Sequence, residues 1–170
     1  MRIFGAVCVL GLLHWSSNVA LPQTTRQQPN AVPTHKDSKS YEYENSKYGF
    51  TFLLPVTWKG CKIVEDTWRG YTETERGEET VERGPEIRIV NPRSKESDQY
   101  QDIYIMIFTH RQWKSVQEGK FVVSPAPIGP GELDRNAKYV FAEPPRMINP
   151  DLEGAEEIEN IMKLKPLHAF

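Results

Sequence analysis

Residues 102–108 read Asp-Ile-Tyr-Ile-Met-Ile-Phe, and this stretch decides the architecture. From Ile103 to the phenylalanine at 108, every residue is apolar or aromatic. A half-buried strand alternates apolar with polar; one that is apolar on both sides must be central and covered on both faces. The sheet it belongs to therefore needs a layer above and a layer below. Immediately afterwards, Thr109 is placed to cap a short helix running through Glu118 and ended by Gly119. On the other side, residues 85–90 alternate, with Ile87 and Ile89 on one face and Glu86 and Arg88 on the other. That pattern predicts a strand half-buried beside the central one.

Further out the strand signals continue. Residues 48–54 (Tyr-Gly-Phe-Thr-Phe-Leu-Leu) form a strand stopped by Pro55, residues 61–65 a second candidate, and 121–123 and 139–142 two more. The polar residues 72–81, with a turn at Gly77, read as an exposed hairpin or edge. Residues 126–136, rich in Pro and Gly at their start, read as a rigid loop. A second helix is expected from Asn149 as N-cap and Pro150 at the first helical position, through Leu152, Ala155, Ile158, Ile161 and Met162, to a stop at Pro166. Trp58 is expected to pack on the sheet edge, with Trp68 and Trp113 as the other large anchors. Short connections favour antiparallel pairing. The fold class is α+β: a mainly antiparallel sheet with helices packed on it.

The chain has 170 residues, 21 basic and 23 acidic, for a net charge of −2. That length accommodates one domain with attachments, and the charge balance gives no footprint for nucleic acid. A mean hydropathy of −0.58 excludes a polytopic membrane protein. At the start, Arg2 precedes the apolar run at residues 3–13, too short for a bilayer and suited to the core of a signal peptide. Cleavage is expected after Ala20, giving a secreted or periplasmic protein with no transmembrane span in the mature chain. Cleavage would remove Cys8 and leave Cys61 without an intrachain partner; the expected role for Cys61 is a small core residue. Residues 21–40 contain three prolines and no aromatic residue, and read as a linker before one globular domain at 41–170.

Motifs for chemistry are sparse. His35, His110 and His168 share no metal-ligand spacing, and there is no paired-cysteine motif, phosphate cradle or serine elbow. No catalytic residue, metal site or cofactor is expected. A hydrolase or transferase with a scattered site would have to draw on Cys61, His110, Asp134 and Arg135. The acidic stretch Glu73, Glu75, Glu78, Glu79 and Glu82 could gather calcium, though the interspersed Arg76 and Arg83 favour a solvated hairpin with cross-strand ion pairs. The best ligand-binding candidates are Asp134, Arg135 and Asn136, which offer an acceptor, a five-donor fork and an amide within three residues.

The run from Tyr43 to Trp58, with its Tyr-Gly-Phe strand followed by a Pro and a Trp, resembles the opening of PsbP-like domains. That family includes the extrinsic photosystem II subunit and many secreted bacterial relatives. The chain is more specifically similar to small exported bacterial proteins of unknown function. The stretches that carry this are 101–109, Ala-Pro-Ile-Gly-Pro at 126–130, and Tyr-Val-Phe-Ala at 139–142 before Pro144-Pro145-Arg146. The resemblance covers most of residues 41–165. It implies a helix–sheet–helix sandwich that acts as a binding or assembly subunit. It carries over neither a photosynthetic role nor metal ligands. The expected function is thus an exported, non-catalytic binding or assembly module for an unidentified protein or small ligand.

Overall fold

A computed structural model describes residues 40–75, 77–125 and 128–170. The expected signal peptide, the linker up to residue 39, Arg76, and Ala126 with Pro127 lie outside the described residues.

The stretch at the centre of the sequence argument forms β5 (Ile103–Thr109). It is the middle strand of a five-stranded antiparallel sheet. On one side lie β4 (Gly77–Ile89) and then β3 (Ile63–Thr74). On the other lie β7 (Tyr139–Glu143) and then β6 (Gly131–Arg135). A second, three-stranded antiparallel sheet has the order β1 (Ser40–Asn45), β2 (Phe50–Pro55), β8 (Leu167–Ala169). The two helices are α1 (His110–Gln117) and α2 (Ala155–Lys163).

Period-two alternation sends the side chains of β5 into two separate cores. Ile103, Ile105 and Ile107 join Ile87 and Ile89 against Phe50, Phe52, Leu54 and Trp58, with Ile158 and Ile161 of α2. Met106 and Phe108 face the other way, with Trp68, Phe121, Val140 and Ala142, and are covered by Trp113 and Val116 of α1. The five-stranded sheet is therefore the middle layer. The three-stranded sheet with α2 covers one face, and α1 with residues 121–123 covers the other. Ile105 has no solvent exposure and Met106 has 2%. Both faces of the strand are filled, as the sequence requires.

Helix α1 starts where its cap predicts. The Thr109 hydroxyl accepts the Gln112 N–H, and the Gln112 side chain returns the bond to the Thr109 N–H, a reciprocal capping box. Helix α2 starts later than expected. Asn149 accepts the Asp151 N–H in a local turn, and the Gln101 N–H holds the Glu153 carbonyl in an extended segment. Gly154, at φ +84°, is the left-handed residue that lets the helix begin only at Ala155.

Several expectations are corrected. Residues 131–135 are not loop but strand β6, at the edge of the sheet. Its register shifts between Glu132 and Asp134, and Leu133 in the shift packs on the main core. That irregularity, among charged neighbours, conceals the alternation. Strands β1 and β8 flank β2 and are additions to the expected set; β8 spans only three residues. Residues 121–123 make only an isolated bridge, between Tyr71 and Val122. Trp58 lies not on a sheet edge but in the main core at 1% exposure, its Nε1–H donating to Glu157 of α2 at 3.2 Å. Pro85 sits inside β4, which is tolerated because the ladder with β5 begins only at Glu86. Beyond it, β3 and β4 continue as a two-stranded ribbon.

Candidate functional site

A surface groove of about 660 Å³ lies between β2 and the end of α2. Local chain geometry creates it. The β2–β8 ladder runs through Phe52 and Leu167, and the Leu53 N–H then donates to the Pro166 carbonyl at 2.9 Å. Proline has no N–H to return, so the ladder stops there. Just before it, Lys165 adopts φ +50° and closes the helix, its N–H donating to the Met162 carbonyl. The reversal carries the chain away from β2 and leaves a trough. Leu53, Pro55, Ile161, Leu164 and Pro166 line it with apolar surface. Leu164 is 82% exposed and Leu53 is 42% exposed. The rim is polar, with Glu156 and Asn160 on one side and Lys165 and His168 on the other. Glu157 anchors the helix wall, taking the Trp58 indole N–H and an ion pair from Arg93. Such a surface can hold an apolar segment by burial and orient it by its rim.

A second, polar surface lies on the opposite face of the five-stranded sheet. Asp66 stands directly across from Glu86, and Arg88 across from Tyr104. Burial pushes the Glu86 carboxyl above its ordinary range, and the facing Asp66 adds to the rise while Arg88 opposes it. A raised folded-state value means the protonated form is favoured by the fold. Its contribution is full below the ordinary carboxylate range and is lost as pH rises through the folded value. Glu86→Gln should therefore raise the melting temperature at pH 7 and have little effect near pH 4. Melts of both proteins at the two pH values check this; an equal shift at both would show that the charge of Glu86 is irrelevant.

The sequence candidates fall as follows. Asp134, Arg135 and Asn136 are adjacent at the end of β6, but each is turned to a different intrachain partner. Asp134 accepts the Ala169 N–H at 2.9 Å, tying β6 to β8. Arg135 places its fork on Glu132, with Nε donating at 2.6 Å. The Asn136 amide donates to the carbonyls of Tyr48 and Gly49, both at 3.0 Å, while its oxygen accepts from Lys138 and Tyr139. Asp134 and Asn136 thus knit the two sheets together, while Arg135 stays within β6. Cys61 sits beside the main core, its thiol pushed up by burial. His110 meets the Asn136 carbonyl at 2.9 Å. No hydrogen bond joins Cys61 to His110 among the described residues.

In the acidic hairpin, like charges face one another: Glu73 opposite Glu78, and Arg69 opposite Arg83. Among the described residues, Glu82 reaches α1, where Arg111 lies at 3.4 Å and Gln112 donates at 3.0 Å. Among the described residues, no three His, Cys, Asp or Glu side chains form a group that could hold a metal ion. No described helix is long and apolar enough to cross a membrane.

The groove itself escapes sequence reasoning because its walls, β2 and the α2–β8 turn, are far apart in the chain. The available signal is Leu164, an apolar residue off the buried Ile158–Ile161 stripe, at a helix end followed by Lys-Pro. Compared with known proteins, the chain has no match: no family model, curated protein or solved structure is similar to it.

Proposed function

We propose that this is an exported, non-catalytic binding or assembly module of the PsbP-like kind, and that its binding surface is the groove between β2 and α2. The observation that carries the reading is the exposure of Leu164 and Leu53 across one apolar trough with a polar rim. Soluble surfaces keep contiguous apolar patches small unless something covers them. An open trough of this chemistry suits an apolar stretch of a partner polypeptide, with an apolar centre excluding water and a rim fixing register. The PsbP-like assignment draws on the Tyr-Gly-Phe strand followed by Pro55 and Trp58, and on the α+β sandwich. Export draws on the leader-like residues 1–20.

Leu164→Glu provides the test. The substitution should lower the affinity for a groove-bound partner at least tenfold, about 1.4 kcal/mol. Melting should stay near that of the parent, because the side chain is already mostly in water. Partner capture from the exported fraction, repeated on the immobilised variant, gives the measurement. Retention of the same partner by both proteins would remove the groove from the reading.

A further inference from the structure

A pocket of about 240 Å³ lies where the 91–101 connection joins β4 to β5, lined among others by Arg88, Ser94, Lys95, Asp102 and Tyr104. Arg88 is its unusual member. Its guanidinium carries five N–H donors in a planar fork. Nε is fully buried and has no hydrogen-bond partner. Its Nη1 lies 3.8 Å from Oδ2 of Asp102, an ion pair beyond hydrogen-bond reach. Asp102 is not free to close the gap, because its Oδ1 already accepts the Asn91 N–H at 2.7 Å. Glu86 lies two positions before Arg88 on the same face of the strand and makes no hydrogen bond to it among the described residues. The Arg88 side chain is 38% exposed, so the fork is partly open to the pocket. Buried donors without acceptors are costly in a folded protein. A partly exposed guanidinium with one buried N–H unsatisfied and only a long ion pair to Asp102 leaves room for an acceptor from outside the chain.

We propose that this pocket binds the carboxylate of a small monoanionic molecule. Arg88 would take the two carboxylate oxygens in parallel bonds. The Ser94 hydroxyl, whose oxygen accepts the Tyr100 N–H at 3.2 Å, has its own proton to give. Lys95, exposed at the rim, supplies a second positive charge. Asp102, which also lines the pocket, sets the charge limit. A second negative charge on the ligand would meet its carboxylate, so a monocarboxylate is favoured over a phosphate dianion. The site is separate from the groove between β2 and α2 and stands independently of it.

The full chain can be titrated with sodium propionate and, separately, with inorganic phosphate at constant ionic strength. Arginine Nε–H and backbone amide resonances would be followed by NMR. Propionate should give saturable shifts confined to Arg88 and residues 94–104. Arg88→Ala and Arg88→Lys should each weaken propionate at least tenfold, because lysine restores the charge but not the fork. Lys95→Glu, at an exposed position, should weaken it at least threefold and keeps the test decisive if the Arg88 variants fold poorly. Shifts that grow linearly without saturation would overturn the proposal. So would propionate affinity unchanged in a folded Arg88→Ala, or unchanged in Lys95→Glu. Phosphate binding tighter than propionate would overturn the monocarboxylate assignment.

Discussion

Ile105→Asp is expected to abolish the folded state at neutral pH. Ile105 lies on the middle strand of the five-stranded sheet, opposite Ile87, with no solvent exposure. Its side chain enters the core shared by both sheets and α2, where Phe50, Trp58 and Ile158 also lie. An aspartate there finds no counter-charge within that apolar cluster. Leaving a buried charge unpaired costs more than about 3 kcal/mol. Small domains are stable by only about 5–15 kcal/mol, and the cavity left by the lost isoleucine volume adds about 2–5 kcal/mol. Far-UV circular dichroism with thermal melting decides the matter. A cooperative transition near the parent's temperature would mean that β5 is not the covered centre of the fold. Ile105→Val should lose only about 0.5–1.5 kcal/mol, which separates the effect of charge from that of shape.

Gly84→Val is the second large effect. Gly84 faces Trp68 across the β3–β4 ribbon, and the indole lies over it. A Cβ at position 84 would fall 2.5 Å from two ring carbons and 2.6 Å from Nε1. The ring has little freedom to retreat. It is 4% exposed, its Nε1–H donates to the Ile107 carbonyl at 2.9 Å, and its centroid lies 4.5 Å from that of Phe108. Swinging it out breaks a buried hydrogen bond and unpacks the second core. Overpacking costs about 1–3 kcal/mol, and stranding the buried donor about 1–3 kcal/mol more. Urea titration followed by tryptophan fluorescence should show an earlier midpoint and a red-shifted folded spectrum. An unchanged midpoint and spectrum would show that the indole can be displaced at no cost.

The middle layer was legible because its signals are local. The all-apolar run at 103–108 required two covering layers, and Thr109 announced a helix that the structure closes with a full capping box. Features that depend on distant partners were not legible. Strand β8 is three residues long and is strand only because β2 offers it a ladder. Strand β6 reads as polar loop because Glu132, Asp134 and Arg135 serve an edge and a register shift rather than a buried face. Helix α2 begins later than its Asn149-Pro150 start signal predicts because that signal is overridden by the extended bond from Gln101 to Glu153 and by the backbone of Gly154. For the site, composition points to Asp134, Arg135 and Asn136, but the fold uses Asp134 and Asn136 to join its two sheets and pairs Arg135 with Glu132 along β6. The surfaces left open, at Leu164 and at Arg88, arise from a broken ladder and an unsatisfied Nε–H beside a small pocket, and neither leaves a spacing pattern.

The pairing of β2 with β8 has a kinetic consequence. Phe52 meets Leu167 across more than a hundred residues of intervening chain, whereas β1–β2 and β3–β4 are hairpins closed within a few residues. Loop-closure entropy makes such a distant contact late and slow. The hairpins and the middle layer can assemble first, with β8 zipping onto β2 afterwards. The trough beside Leu53 is walled by β2 and by the end of α2 that leads into β8. It is therefore completed only when that late contact forms, and amide exchange along the β2–β8 seam should report its opening ahead of the rest.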